Sequence, residues 1–202
     1  MAKLNGIKKK NVAVFISGKG SNLENLIKKS KDQNSRYKIS LIVSNNSKAL
    51  GLKFANKFNI KKKIIKLNNS KLSEKKLFGI LKKNHTSIIC LAGFMEILSK
   101  DFIKRFNGKI LNIHPSLLPK YKGLNTHSRA IQNKEKYSGC TVHYVSFKLD
   151  SGKIILQKKV KILKKDTPES LASKVLVQEH LLYPKALNKI IANPWKKSLS
   201  RF

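Results

Sequence analysis

The sequence predicts an α/β fold with one domain and three layers, in which helices cover both faces of a mostly parallel central sheet. Short apolar runs, each the length of one strand, alternate with segments whose apolar residues recur at helical spacing. The chain has 202 residues, 41% of them hydrophobic, which suffices for one domain with a sizeable buried core.

The first half of the chain predicts five strands, because five apolar runs end in polar or glycine residues. The strands are expected at 11–16, 38–43, 63–67, 87–91 and 110–113. Helices are predicted between them, the first after Ser21, where Leu23, Leu26 and Ile27 share one face. The other helices of this half are expected at 49–58, 72–81 and 100–106. Such alternation is typical of βαβ units and therefore of a Rossmann-like parallel sheet.

The regular alternation of strands and helices ends in the second half of the sequence. A helix is predicted at 126–132, and strands are predicted at 141–145 and 153–160. Thr167 is a typical N-cap and Pro168 suits the first helical position, so the last helix should begin there and run to about Leu182. We expect one domain over residues 1–187 and a basic C-terminal tail over 188–202.

The composition argues against a membrane-spanning, secreted or metal-binding protein. No apolar run approaches the length of a membrane span, and the run 12–16 after the basic N-terminus is too short for a signal-peptide core. We therefore expect a cytoplasmic protein with no membrane partner. Cys90 and Cys140 have no further cysteine at metal-ligand spacing, so no metal site is predicted, and a disulfide is possible but not indicated.

The net charge of +34 raises the question of a nucleic-acid-binding protein. However, 40 of the 44 basic residues are lysines, whereas specific phosphate and base recognition draws on arginine. The lysines are also spread from Lys3 to Lys197 instead of forming one block. We interpret the charge as compositional drift over a solvated surface, and expect only weak, salt-sensitive binding to RNA.

A glycine-rich loop, residues 17–22, follows the first predicted strand and opens the first helix. Glycines let the backbone approach a ligand, and the free N–H groups of a helix start attract an anion. Leu23 stands where a dinucleotide-binding motif needs its third glycine, and the loop is not a P-loop, so a nicotinamide cofactor is disfavoured. The alternatives are a phosphate site and an ordinary turn capped by Ser21 or Asn22.

The most informative segment is 111–123, where two polar side chains interrupt an apolar strand. Asn112 and His114 are two residues apart, so they project to the same side of the strand. Pro115 follows at once, and the carboxyl ends of strands are where open α/β sheets place their active sites. We interpret the pair as catalytic, since an amide donates hydrogen bonds and an imidazole titrates near neutral pH.

Two acidic residues are further candidates in a chain with only 10 acids. Asp150 lies in an Asp-Ser-Gly turn, which has a purely structural explanation, and its functional interpretation depends on reaching His114. There its carboxylate would orient the imidazole and favour the protonated form. Glu179, in the last predicted helix between Val177 and Leu181, is either a surface charge or an inward-facing group.

Together these motifs resemble the phosphoribosylglycinamide formyltransferase family of purine synthesis. The resemblance covers about residues 11–187, in the family's order and spacing, and the Asn-Ile-His-Pro-Ser-Leu-Leu-Pro segment from Asn112 is highly specific to the formyl-folate transferases. The matching segments are 16–18, 20–23, 91–95, 97–99, 112–121, 123–124, 126–127, 141–143, 150–152, 157, 178–180 and 183–184.

The resemblance implies a formyltransferase-type fold and a reaction in which 10-formyltetrahydrofolate passes its formyl group to the amine of phosphoribosylglycinamide. The implied catalytic residues are Asn112, His114 and Asp150. The implied substrate-binding residues are Gly20, Ser21 and Asn22 at the phosphate and Glu179 at the glycinamide end. The implied folate-binding residues are Met95, Glu96, Ile97, Leu98, Ser146, Phe147, Lys148 and Leu149. No metal is implied, and the protein would be a monomer or homodimer.

The implied chemistry suits these residues, because an amine that attacks a formyl carbon directly needs no nucleophilic side chain. The tetrahedral intermediate carries negative charge on oxygen, to which Asn112 and a protonated His114 can donate. One residue departs from the family. Glu96 stands where relatives commonly carry a basic residue such as Arg, so the charge beside the folate site is reversed.

Three other functions compete with this one. Methionyl-tRNA formyltransferases share the folate domain but add a C-terminal RNA-binding domain, which the short segment after Leu187 leads us not to expect. Formyltetrahydrofolate hydrolases add an N-terminal regulatory domain, and only 10 residues precede the first predicted strand. A basic RNA-binding protein, from a different class, predicts tight, salt-dependent RNA binding that does not need folate.

Overall fold

In the computed structural model, which describes residues 8–67 and 70–193, helices pack on both faces of one seven-stranded sheet. The strands are β1 (Lys10–Ile16), β2 (Tyr37–Ser44), β3 (Lys61–Ile64), β4 (Ile88–Leu91), β5 (Lys109–His114), β6 (Tyr137–Tyr144) and β7 (Ile154–Lys161). The helices are α1 (Ser21–Ser30), a 3₁₀ helix (Leu50–Leu52), α2 (Lys53–Lys57), α3 (Lys71–Lys83), α4 (Lys100–Arg105), α5 (Thr126–Gln132) and α6 (Pro168–Ala192).

The strand order β3-β2-β1-β4-β5-β6-β7 explains where a ligand can bind. The five strands from β3 to β5 are parallel, and β6 and β7 are antiparallel, which confirms the predicted mostly parallel sheet. β2 and β3 lie on one side of β1, and β4 to β7 lie on its other side, so the direction of strand addition reverses after β3. Such a switch point leaves a crevice at the carboxyl ends of the central strands.

Alternate residues of β1 divide the core into two layers. Val12 and Val14 pack in the cluster that includes α1 and α6, whereas Ala13 and Phe15 pack in the cluster that includes α3 and α4. All four are fully buried, so β1 has no solvent-exposed face along this stretch. Burial on both faces is why the central strands are continuous apolar runs and not alternating ones.

Two predicted boundaries in the first half of the chain were wrong. The third strand is Lys61–Ile64 instead of 63–67, because β3 is an exposed edge strand, and Ile65 and Leu67 enter the core only after it ends. The helix predicted at 49–58 divides into a 3₁₀ turn and α2. Gly51 N–H donates to the carbonyl of Gly18 at 3.0 Å, a residue outside the helix. The segment Leu50–Leu52, which contains Gly51, forms the 3₁₀ turn.

The strand β6 and the last helix also extend further than predicted, whereas β7 is displaced by one residue at the predicted length. β6 begins at Tyr137, where it still pairs with Lys161 of β7. α6 continues to Ala192 although Pro184 lies inside it. The proline has no N–H for the carbonyl of His180, four residues earlier, and Asn25 Nδ2 donates to that carbonyl instead at 2.6 Å.

The longer α6 changes what the predicted tail contains. Residues 188–192 belong to the helix, and Ile190 is buried in the core. The rest of the predicted tail, 194–202 with Trp195, lies outside the described residues. The division of the chain at residue 187 therefore stays a prediction.

Further observations bear on the classes of protein considered above. Cys90 and Cys140 are both buried and free. Among residues 8–67 and 70–193, no helix is long and apolar enough to cross a membrane. Within the same residues, no group of three His, Cys, Asp or Glu side chains could hold a metal ion.

Candidate active site

The polar end of β5 is fixed against its neighbours by a buried tyrosine on α6. The hydroxyl of Tyr183 lies 3.0 Å from the carbonyl oxygen of Leu91 in β4 and 3.2 Å from that of Leu111 in β5. Tyr183 has no exposed surface. It therefore joins two adjacent strands to the helix, and so fixes the strand that carries Asn112 and His114.

Asp150 contacts both polar side chains of β5. One carboxylate oxygen, Oδ2, lies 3.3 Å from His114 Nδ1, and the other, Oδ1, accepts from Asn112 Nδ2 at 3.4 Å. Gly123 N–H donates to Oδ2 at 2.9 Å, which holds the carboxylate in place. Asp150 has φ of +45°, a conformation that Asp adopts more readily than most residues. The three predicted catalytic residues thus form one cluster, in which His114 and Asp150 are buried and Asn112 is half-buried.

The imidazole of His114 lies between two hydrogen-bond acceptors. Its Nε2 is 2.8 Å from the carbonyl oxygen of Tyr121, and its Nδ1 faces the Asp150 carboxylate. Neither a carbonyl nor a carboxylate can donate, so both contacts are satisfied only when both ring nitrogens carry protons. The surroundings of His114 therefore complement an imidazolium.

His143 also belongs to this cluster, although its sequence context did not indicate a role for it. It pairs with Asn112 across β5 and β6, and its Nε2 lies 3.3 Å from Asn112 Nδ2. Burial lowers the pKa of His143, against the opposing effects of the Tyr144 carbonyl and Asp150. Because Nδ1 donates to the Tyr144 carbonyl at 2.9 Å, the neutral ring leaves Nε2 free to accept from Asn112. His143 thus orients the amide of Asn112.

A second set of contacts holds the loop that follows β5. Thr141 Oγ1 donates to the carbonyl of Ser116 at 2.6 Å and accepts from Leu118 N–H at 3.2 Å. Gln157 Nε2 donates both to Thr141 Oγ1 at 2.9 Å and to the Leu118 carbonyl at 2.8 Å. These bonds fix the loop that supplies the Tyr121 carbonyl to His114.

The cluster opens into a cavity of about 790 Å³. The cavity is lined by all eight residues predicted to bind folate, namely Met95, Glu96, Ile97, Leu98, Ser146, Phe147, Lys148 and Leu149. It also reaches Asn22 and Glu179, whereas Gly20 and Ser21 are not part of its lining. Met95, Ile97, Phe147 and Leu149 expose more than half of their surface there. Exposed apolar side chains around a cavity are typical of a ligand site.

The start of α1 is built differently from an ordinary capped turn. Gly20 is the N-cap with φ of 75°, and no side chain caps the first turn, so the predicted alternative of a cap by Ser21 or Asn22 was wrong. Asn22 Nδ2 instead donates to Glu179 Oε2 at 2.7 Å. A Cβ on Gly20 would lie 2.7 Å from Gly51 Cα, so the loop needs glycine at both positions. A helix start whose N–H groups lack a side-chain cap suits an anion.

Glu179 is an inward-facing group, which excludes the surface-charge alternative. Its side chain is buried at the cavity, 7% exposed, and burial raises its pKa against the opposing hydrogen bond from Asn22. Asn22 Oδ1 is buried and lacks a hydrogen-bond partner among the described residues. The paired amide and carboxylate therefore lie at the cavity wall with one acceptor, Asn22 Oδ1, unused by the described residues.

The raised pKa of Glu179 predicts how its replacement changes stability. Folding favours the protonated form, so the wild type loses stability as pH rises from the unfolded pKa through the higher folded one. Glu179→Gln should therefore be more stable than wild type at about pH 8, and the difference should vanish near about pH 3.5. Urea denaturation at the two pH values measures the free energies of unfolding.

Glu169→Gln is the matched control, because backbone and Thr167 hydrogen bonds lower the pKa of this exposed glutamate. Its replacement should change stability in the opposite direction at about pH 8. A Glu179→Gln protein that is less stable than wild type at this pH would contradict the inferred desolvation.

Comparison with known proteins extends the similarity over the whole α/β domain. The family model for formyl transferases matches residues 10–187. The trifunctional purine biosynthetic protein adenosine-3 of Chironomus tentans is 43% identical over 195 residues, which cover 93% of this chain and 14% of that protein. The phosphoribosylglycinamide formyltransferase of Haemophilus influenzae is 40% identical over 178 residues, which cover 87% of this chain and 84% of that protein.

Solved structures agree with the sequence matches. The crystal structure of phosphoribosylglycinamide formyltransferase from Anaplasma phagocytophilum matches with a TM-score of 0.86 at 42% identity, covering 94% of this chain and 90% of that one. The chain therefore spans a small part of the trifunctional relative and most of the length of the other two proteins.

Proposed function

The chain belongs to the formyl transferase family, and on that premise we propose that it transfers the formyl group of 10-formyltetrahydrofolate to the amine of phosphoribosylglycinamide, a step of purine synthesis. The observation that carries the proposal is the contact of Asp150 with Asn112 and His114 beside a cavity that continues to Glu179. The proposal concerns this formyl transfer alone and not the other activities of the trifunctional relative.

The amine substrate binds at the α1 end of the cavity. The uncapped N–H groups from Gly20 to Asn22 donate to its phosphate, since a helix start favours negative charge. Glu179 then receives the glycinamide end, because its carboxylate and the unpartnered Asn22 Oδ1 are acceptors and the incoming amine and amide are donors. This arrangement directs the attacking nitrogen towards the three polar side chains at the end of β5.

The formyl carbon lies beside Asn112 and His114 when the amine attacks. A C–N bond forms, the formyl oxygen becomes negatively charged, and the attacking nitrogen carries one proton too many. The C=O bond then re-forms as the bond to N10 of the folate breaks, and the proton lost by the attacking nitrogen is the one that N10 gains. Asn112 Nδ2 exchanges its long 3.4 Å contact with Asp150 for the oxygen, and the imidazolium of His114 supplies the opposite charge. Nδ1 is the donor with the looser contact, 3.3 Å against 2.8 Å for Nε2, so it exchanges Asp150 for the oxyanion more readily.

The folate ring system occupies the apolar part of the cavity. It binds between the segments 95–98 and 146–149, whose side chains line the cavity. Glu96, the residue that departs from the family pattern, accepts a hydrogen bond from Leu67 N–H at 2.9 Å. Its carboxylate therefore holds the chain after β3, and the position no longer supplies a cation to the folate.

A single set of assays tests the proposed function against its rivals. Wild-type protein with 10-formyltetrahydrofolate should release tetrahydrofolate only when phosphoribosylglycinamide is present. Faster formylation of initiator methionyl-tRNA would favour the tRNA enzyme, and equal release without any amine would favour the hydrolase. Tight RNA binding without folate-dependent turnover would favour the RNA-binding protein. Any of these three results would contradict the proposal.

The remaining properties follow from a small-molecule reaction. The partners are the two substrates, with no specific nucleic-acid partner and no membrane partner, in a monomer or homodimer. The location is the cytoplasm, where the substrates of purine synthesis are made. These statements stay predictions, to be tested by light scattering for the oligomer and by fractionation for the location.

A further inference from the structure

Helix α4 forms one part of the rim of the folate cavity. The segment 95–98, which lines the cavity, leads directly into α4, and Ile103 of this helix lines the cavity as well. Lys100 and Lys104 are four residues apart, so they lie on the same side of the helix. Their position at the rim distinguishes them from most of the lysines spread over the surface.

Both ammonium groups are directed at one aromatic ring of the cavity. Lys100 Nζ lies 5.5 Å and Lys104 Nζ 5.9 Å from the centre of the Phe147 ring, which is within cation–π distance. Phe147 itself lines the cavity and is 56% exposed. Two like charges are thus held close together beside the opening, where they repel each other.

The protein does not neutralise these two charges in the part that the structure describes. The ion pairs among residues 8–67 and 70–193 involve neither Lys100 nor Lys104. Lys148, which lines the cavity beside Phe147, adds a third cation. Among the acidic residues that line the cavity, Glu96 is the one closest to α4 in the sequence, and its carboxylate is already hydrogen-bonded to Leu67 N–H. The rim therefore attracts a ligand with several negative charges.

We propose that Lys100 and Lys104, which lie beside the ring of Phe147, bind the carboxylates of the glutamate tail of the folate co-substrate. The inference rests on the proposed function, since it places N10 of the folate beside Asn112 and His114. The benzoyl-glutamate part then leaves the cavity towards the rim, and it carries two carboxylates, with one more for each added γ-linked glutamate. The affinity therefore increases with the number of glutamates in the tail.

The test compares three co-substrates that differ only in the tail: 10-formyltetrahydropteroate, which lacks glutamate, and the mono- and triglutamate forms of 10-formyltetrahydrofolate. In Lys100→Gln/Lys104→Gln, KM for the monoglutamate should rise about three- to tenfold, as expected for two solvent-accessible ion pairs. KM for the triglutamate should rise more, and KM for the pteroate should change less than about twofold. The wild-type preference for the triglutamate should weaken with salt.

Lys82→Gln/Lys83→Gln is the matched control for charge. These two exposed lysines form the last turn of α3, at the edge of the sheet opposite the carboxyl ends of the strands. The control removes the same charge and should leave KM for all three co-substrates unchanged. An equal rise of KM in both variants would show a bulk charge effect and overturn the inference, as would an equal rise for the pteroate.

Direct binding separates this inference from the proposed function. Calorimetry with mono- and triglutamate forms of 5-formyltetrahydrofolate measures tail-dependent affinity without turnover. Tail-dependent binding that is lost in Lys100→Gln/Lys104→Gln, in a protein that transfers no formyl group, would support the lysine site and contradict the proposed reaction. Formyl transfer with no effect of tail length would contradict the lysine site alone.

Discussion

His114→Ala is expected to lower kcat for formyl transfer by about 10²- to 10³-fold, the usual effect of losing one preorganised donor to an oxyanion. The imidazole is 5% exposed and held between the Tyr121 carbonyl and the Asp150 carboxylate. Bulk solvent therefore does not replace the donor that the variant lacks. KM for both substrates should change little, because the interaction is made with the transition state and not with the bound reactants.

Steady-state kinetics with each substrate varied in turn measures this effect. His85→Asn is the matched control, because His85 is exposed in the turn after α3 and its φ of 48° is one that asparagine tolerates. This control should retain full activity. A folded His114→Ala protein, shown by an unchanged thermal transition, with more than about a tenth of wild-type kcat would remove His114 from the oxyanion site.

Local patterns in the sequence sufficed to predict most of the strand framework and to single out two of the proposed catalytic residues. Asn112 and His114 were predictable because the two-residue period of a strand fixes their common side. The carboxyl end of β5 follows from Pro115, since proline cannot continue the ladder of hydrogen bonds. Such patterns depend only on residues that are adjacent in the sequence, so they can be recognised before the fold is known.

Contacts between distant strands were not predictable in the same way. His143 acquires its role only from the antiparallel register of β5 and β6, which places it opposite Asn112. Nothing in Thr141-Val142-His143 specifies that partner, because a strand shows its period but not its neighbour. The extent of α6 was missed for a similar reason. Pro184 ends a helix by local rules, and the bond from Asn25 to the His180 carbonyl, 155 residues apart in the chain, offsets its effect.

Assigning a role to Asp150 requires both the local sequence pattern and the contacts made in the fold. Its acidic side chain and its turn were visible in the sequence, but the same residues also make an ordinary turn. The distance of 3.3 Å between its Oδ2 and His114 Nδ1, in a cluster that also contacts Asn112 and Gly123, favours the catalytic interpretation. An exposed turn aspartate would have no reason to be buried against two polar side chains of another strand.

Asp150→Asn is expected to lower kcat by about 10²- to 10³-fold, comparable to the loss of a donor to the oxyanion. The amide keeps the size of the carboxylate and tolerates φ of +45°, so the turn itself should fold. However, it has one acceptor oxygen where the carboxylate has two, and its NH₂ group must face a donor. Gly123 N–H and Asn112 Nδ2 donate to Asp150 and His114 Nδ1 faces it at 3.3 Å, so at least one of these three contacts is lost.

The two variants should not be additive, because Asp150 acts through the orientation and charge of His114. Asp150→Asn combined with His114→Ala should lower kcat little further than His114→Ala alone, whereas independent residues would multiply their effects. Asp32→Asn, which removes the same charge from an exposed turn, should leave kcat unchanged. A double variant whose loss equals the product of the two single losses would show that Asp150 acts independently of the imidazole, and would contradict the contact at Nδ1 as its means of action.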